Sequence, residues 1–260
     1  MLTPSAAREP PVAGLTASAG RFFSNRLSAS ASIEAVAGPG GVTRLPVLAS
    51  QAPLVLRRTP ESVYLVGGAA GPLGGDSLAL HVTVGAGAFL RVRTAAASIA
   101  LPGLDGLESV LRVSATVGAG GRLEYLPEPL VVTTGARHAT LVTVTLSAGA
   151  SLVLRDEVLL GRHGECGGTA RSTLRVSYAG RPLLRQSLEV SGTDQASLGP
   201  AVLAGHRAVG TLLRVGAAET DETGVTATPE VAVMPLAGPG FLVTALAHDA
   251  VTLRRRLTSP

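Results

Sequence analysis

Three kinds of metal ligand fall within the four residues 163–166 of the segment Gly161-Arg-His-Gly-Glu-Cys166: the imidazole of His163, the carboxylate of Glu165 and the thiol of Cys166. Imidazole and thiolate suit zinc, nickel or copper. A structural zinc centre takes four ligands, however, and no second Cys or nearby His completes this one. An exposed glycine-rich loop is therefore the preferred reading, with His163 and Cys166 kept as metal candidates. Two further acidic positions stand out. Asp76 follows Gly74-Gly75 ahead of an alternating stretch, where an Asp side chain commonly satisfies backbone donors in a tight turn. Asp156 and Glu157 follow the apolar run Leu152–Leu154 and read as surface charges. The other histidines, His81, His138, His206 and His248, are scattered, and no G-x-S-x-G nucleophile elbow is present. Residue chemistry alone points to a scaffold and to no particular reaction.

All 22 residues counted as Lys or Arg are Arg. A Walker A phosphate loop, a Schiff-base enzyme and the kinase pattern each need a lysine, so none can be built from this chain. The glycine-rich segments do not make a dinucleotide fingerprint either. After Gly85-Ala-Gly87 the third required glycine is Leu90, and after Gly118-Ala-Gly120 it is Leu123.

A net charge of +4 over 260 residues is modest, only 3% of residues are aromatic, and there is no Trp. The Arg pairs Arg57/Arg58 and Arg91/Arg93 lack interleaved aromatics on which bases stack, so nucleic acid is not the expected partner. Ala, Gly and Pro are abundant beside the Arg, which fits a GC-rich genome. Gly, Pro or a charge interrupts every apolar stretch before the ~20 residues a membrane-spanning helix needs. Arg8, Glu9 and Pro10/Pro11 stand where a signal peptide would have its apolar region. The single Cys166 forms no internal disulfide. A cytoplasmic protein without a membrane segment is the expectation.

Residues 1–20 are rich in Ala, Pro, Ser and Thr without periodicity and read as a flexible extension, leaving 21–260 as one domain. Within it the apolar period is mainly two, as in Leu78, Leu80, Val82 and Val84. One pattern recurs: Val84-Gly-Ala-Gly-Ala-Phe-Leu90, Val117-Gly-Ala-Gly-Gly-Arg-Leu123 and Leu146-Ser-Ala-Gly-Ala-Ser-Leu152, spaced by 33 and 29 residues. Gly87, Gly120 and Gly149 occupy the same place, where a turn between strands calls for positive φ. A looser copy is Val36-Ala-Gly-Pro-Gly-Gly-Val42. These spacings predict successive coils of an irregular solenoid whose narrow interior takes Val and Leu. The fold class is thus mainly β, an irregular β-helix with a small helical portion, and a β-sandwich is the alternative. Helices are predicted over Pro200–Ala208 and His248–Leu257, the second with Asp249 at its start and Arg254, Arg255 and Arg256 in its last turn.

The blocks Gly71-Pro-Leu-Gly-Gly-Asp-Ser-Leu-Ala-Leu80, Arg93-Thr-Ala-Ala-Ala-Ser98, Gly121-Arg-Leu-Glu-Tyr-Leu-Pro-Glu128, Leu159-Leu-Gly-Arg-His-Gly-Glu165, Gly180-Arg-Pro-Leu-Leu184 and His206-Arg-Ala-Val-Gly-Thr-Leu-Leu213 resemble, in order, the UreD (UreH) family of urease accessory proteins. The resemblance spans roughly residues 21 to 257. The chain departs from the family's pattern at Ser98-Ile99, where a Lys-Phe pair is common, and at Pro127-Glu128-Pro129, where Pro-Gln-Glu is common. It implies a β-helical fold and a non-enzymatic scaffold that binds apo-urease and recruits UreF and, through UreF, the GTPase UreG. It further implies that nickel is transient cargo passing through an internal tunnel, that no cofactor is tightly held, and that a dimer of heterocomplexes could form.

A conduit must release its ion, so hydroxyls, carbonyls and isolated carboxylates line it better than a closed His/Cys cage. Asp76, Thr94 and Glu157 lie in or next to the matching blocks and are the expected tunnel residues. Two other readings are a β-helical carbohydrate-active protein, which would need paired carboxylates in an aromatic groove, and a nickel-storage protein using His163 and Cys166.

Overall fold

The computed structural model describes residues 26–216 and 225–259. The extension expected over residues 1–20 lies outside the described residues. β1 (Ser28–Ala37) and β2 (Thr43–Ala49) open the chain, followed by β3 (Leu54–Arg58) and β4 (Val63–Gly67). Three coils come next. The first is β5 (Ser77–Val84), β6 (Phe89–Thr94) and β7 (Ser98–Ala100); the second is β8 (Ser109–Val117), β9 (Arg122–Leu126) and β10 (Leu130–Val132). The third is β11 (Arg137–Leu146) and β12 (Ser151–Leu160), after which β13 (Thr169–Tyr178) and β14 (Arg181–Ser191) close one side.

Strands β5, β8 and β11 stack in parallel in one sheet, and β6, β9 and β12 stack in parallel in the other. The repeat seen in the sequence is the corner between the sheets. Val84 pairs with Val117 and Val117 with Leu146, while Leu90 pairs with Leu123 and Leu123 with Leu152. All six side chains are buried. Each is worth roughly 1.5–3 kcal/mol on burial, and together they rivet the coils. Gly87, Gly120 and Gly149 take φ of 65°, 66° and 75° and lie one above another. The parallel stacking makes this a solenoid-like fold and not an antiparallel sandwich. The looser copy differs: Gly40 and Gly41 have positive φ, but β2 turns back antiparallel on β1 within the same sheet.

A four-residue helix α1 (Gln195–Leu198), capped by the Asp194 carboxylate on the Ala196 and Ser197 amides, follows β14. The expected helix over Pro200–Ala208 does not form. Ala204 and Gly205 take φ of 47° and 79°, which a right-handed helix does not admit, and Ala208 already begins β15 (Ala208–Val215). The remaining elements are β16 (Thr226–Ala227), β17 (Val231–Pro235), β18 (Gly240–Ala247) and α2 (Ala250–Thr258). They extend the second sheet in the antiparallel order β12-β15-β18-β17-β16. The second predicted helix is α2, with Asp249 accepting from the Thr252 amide at 2.8 Å as its N-cap. Leu253 and Leu257 bury its inner face, and Gly210 of β15 leaves room for both: an added Cβ there would meet them at 3.1 and 2.9 Å.

Candidate functional site

Sheet two is interrupted twice at the same level. β6 stops at Thr94 and resumes as β7 at Ser98; β9 stops at Leu126 and resumes as β10 at Leu130. Neighbouring β12 runs unbroken past both gaps. A cavity of about 570 Å³ lies there, between the sheets and in the gaps. It reaches from exposed Ala69, Ala70 and Ala95–Ala97 inward to buried His138, Arg155 and Glu157.

Strand alternation sorts the polar lining into two faces. On β12, Leu152, Leu154, Asp156, Val158 and Leu160 share the inner face, so Asp156 sits between two apolar clusters. Its carboxylate accepts from the Ser172 hydroxyl of β13 across the interior. It keeps some accessible surface because it faces the cavity, although protein surrounds it. Burial raises its pKa above the usual Asp value, the Ser172 bond working against that shift. His138 of β11 also points inward. It is 2% exposed, and its Nδ1 lies 2.8 Å from Ser109 Oγ. Since that hydroxyl also donates to the Arg137 carbonyl at 3.3 Å, Nδ1 carries the ring proton and donates to Oγ, leaving Nε2 with its lone pair. Burial drives the His138 pKa down to about 4, so the ring is neutral near pH 7.

Arg155 and Glu157 share the outer face, where α2 covers them. Arg254 of α2 donates through Nε to Glu157 Oε1 at 3.1 Å and through Nη2 to the other oxygen, and its Nη1 reaches Glu128 at 2.8 Å. Arg155 Nη2 donates to the Pro127 carbonyl at 2.8 Å, filling the second gap, while its Nε stands 3.4 Å from Glu157. Two carboxylates and two guanidiniums thus alternate at the cavity wall. The carboxylates drive the Arg254 pKa upward, with Glu157 contributing most, so this guanidinium stays charged.

The expected site residues separate here. Thr94 and Glu157 both line the cavity. The Thr94 hydroxyl accepts from the Glu128 amide at 2.8 Å and donates to the Ala96 carbonyl at 2.9 Å, tying the two gaps together. Asp76 is buried beside Gly71 and takes the Leu27 and Leu73 amides at 3.0 and 2.9 Å, the turn-capping role. His163 and Cys166 are exposed in the loop after β12. Glu165 between them is held by Arg162, whose Nε donates at 2.8 Å, and by the Thr134 amide; these bonds, Arg162 first, bring its pKa down to about 2. Among the described residues no group of three or more His, Cys, Asp and Glu side chains is placed to hold a metal. Sequence reasoning missed His138 and took Asp156 for a surface charge. The signal for Asp156 was its even spacing from Leu152 and Leu154.

Parallel coiled strands around an interior cavity, with a network of ion pairs in its wall, define a β-solenoid protein. Residues 28–259 match the UreD urease accessory protein family. A urease accessory protein UreD of a Parafrankia species is 43% identical over 98% of this chain and 94% of its own length. That of Frankia alni is 45% identical over 89% of this chain and 91% of its own, and that of Streptomyces coelicolor 45% over 88% and 93%. The chain belongs to the UreD family of urease accessory proteins. Among the described residues no helix is long and apolar enough to cross a membrane.

Proposed function

We propose that this chain serves urease maturation as a non-enzymatic scaffold and that its cavity conducts nickel towards apo-urease. Family membership and the relatives' name, urease accessory protein, support the first part. The observation that carries the second is the cavity wall of Thr94, Glu128, His138, Asp156 and Glu157. Its oxygen and imidazole groups are spread along β6, β11 and β12 instead of closing on one point. An ion meeting one or two protein ligands at a time, with water completing its shell, is held weakly enough to move on. Asp156 and His138 Nε2 are the inner contacts, while Thr94, Glu128 and Glu157 lie at the gaps. Asp76 serves the cavity indirectly by fixing the turn beside Gly71 and Pro72, which line it.

The partners in this reading are apo-urease, UreF, and UreG through UreF, in the cytoplasm, within a dimer of heterocomplexes. A solenoid leaves strand edges to be covered, which fits a protein that works inside an assembly. Because the chain has no lysine for a phosphate loop, any nucleotide hydrolysis driving delivery belongs to the partner GTPase. Co-expression tests the assembly. The chain alone should be poorly soluble, and UreF should bring it into solution as a complex that retains urease; a soluble monomer with no affinity for either partner contradicts the reading.

A further inference from the structure

Among the described residues four strands end the two sheets, β14 and β2 in the first and β16 and β3 in the second. A terminal strand offers its outward amides and carbonyls to any other strand, and proteins guard such an edge by shortness, proline or charge. Three of the four are guarded. β16 has two residues, β3 has five and ends in Arg57-Arg58, and β2 carries Pro46 at its centre. β14 has eleven residues, its Pro182 and its one register shift lie near its start, and residues 184–191 run regularly along β13. Hydrogen bonds fix which groups face outward. The Thr169 amide donates to the Ala136 carbonyl, on the β11 side, and the Gly192 amide to the Gly168 carbonyl, on the β14 side. Alternating from there, Leu184, Gln186, Leu188 and Val190 bond to β13, while Arg185, Ser187 and Glu189 turn their amides and carbonyls to the open edge. Outside the ladder none of these three enters a backbone hydrogen bond among the described residues. Their side chains are exposed on the outer face. Arg185 lies directly opposite Arg175 in a non-hydrogen-bonded pair, where Cα atoms approach to about 4.5 Å and like charges destabilise a sheet. Among the described residues no carboxylate pairs with either arginine. Glu189 also makes no ion pair there, and Arg171, opposite it, is engaged by Glu108 at 2.6 Å.

We propose that β14 pairs antiparallel with β14 of a second copy of this chain, about a two-fold axis through Ser187. That axis sets Arg185 opposite the partner's Glu189 and Glu189 opposite the partner's Arg185, and the outward groups of both strands meet in hydrogen-bonded pairs. Each Arg175/Arg185 couple then gains a carboxylate. An axis through Arg185 would oppose that residue to itself, one through Glu189 would oppose two carboxylates, and one through Gln186 or Leu188 forgoes both ion pairs. Charge therefore selects the register. The contact gives the dimer of heterocomplexes proposed above a surface of its own, and it rests on that reading only for the complex in which the chain is handled. Arg185, Ser187 and Glu189 do not line the cavity, so the pairing stands whether or not the cavity conducts nickel.

Cysteine crosslinking tests this in the full chain, in its complex with UreF and in a Cys166→Ser background. Across a hydrogen-bonded pair at the axis the two Cα atoms stand about 5.5 Å apart, within reach of a disulfide. Ser187→Cys should therefore give a covalent dimer of this chain on mild oxidation, and Thr173→Cys, one strand inward, should not. Arg185→Glu or Glu189→Arg alone turns both ion pairs into repulsions, and the crosslinked yield should fall about tenfold. The double variant Arg185→Glu/Glu189→Arg restores complementarity and should recover it. Arg185→Glu also sets a carboxylate opposite Arg175, so its lower yield does not come from a damaged sheet. No covalent dimer from Ser187→Cys, a yield indifferent to the charge variants, or a double variant as poor as the single ones would each overturn the pairing. If UreF does not bind the chain, the maturation reading fails, and the same crosslinking of the chain alone still decides the pairing.

Discussion

Arg254 and Glu157, 97 residues apart, hold the C-terminal helix to the cavity wall through a two-point guanidinium–carboxylate contact. The Glu157 side chain is wholly buried, and 29% of the Arg254 side chain is exposed. Removing the arginine leaves a buried carboxylate with only the longer contact to Arg155. Arg254→Ala should therefore cost about 2–3 kcal/mol, below the full range for a completely buried pair. In a Glu157→Gln background the same change should cost clearly less. Urea unfolding of the four combinations measures the coupling.

His138 gives the fold a pH dependence. The unfolded chain takes up a proton near the ordinary histidine value of about 6.5, whereas the buried ring resists it until about pH 4. The unfolded state thus binds more protons between these limits. The corresponding stability is fully present above pH 6.5 and falls by about 3 kcal/mol as the pH drops to 4. Asp156 acts in the opposite sense, since its raised pKa favours the folded state on acidification and that contribution is lost as pH rises through its folded value. Comparing wild type with His138→Gln removes this background. The variant should lose less stability than wild type between pH 7 and pH 4.5.

Two neighbouring glycines separate backbone strain from coil packing. Gly120 has φ of 66° and an added Cβ would meet nothing nearer than 3.9 Å, so Gly120→Ala should cost only the left-handed conformation, about 1 kcal/mol. At Gly118 a Cβ would stand 2.7 Å from the Ala86 amide nitrogen of the coil below. Gly118→Ala must push the coils apart and should cost about 3 kcal/mol. Denaturant midpoints of the two variants rank the effects.

Much of this architecture is local chemistry, and that part is legible in the sequence. The shared glycine position of the three repeats names the corners, and Asp249 with its following Arg residues marks α2. Longer-range features are not. Alternation along β12 assigns Asp156 to the inner face with Leu154, but the same alternation sends Arg155 and Glu157 to what looks like solvent. Only the return of the chain as α2, made possible by the missing side chain at Gly210 opposite Glu157 in the ladder, covers them. The gaps after Thr94 and Leu126 carry no strong break signal in the first case, since Ala95-Ala-Ala97 reads as any small-residue stretch. His138 has no distinguishing neighbours in sequence, because its partner Ser109 lies one coil away.

The conduit is tested most directly by urease activation under limiting nickel in cells lacking this protein, restored with wild type or with cavity variants. Asp156→Asn removes the inner charge, and Thr140→Phe fills the cavity from β11 while leaving every charged residue in place. Both variants should still assemble with UreF and urease yet restore at least tenfold less activity than wild type, while Asp76→Asn should act mainly through lower protein yield. Full urease activity in the deletion, or full restoration by both Asp156→Asn and Thr140→Phe at normal protein levels, would contradict nickel transfer through this cavity.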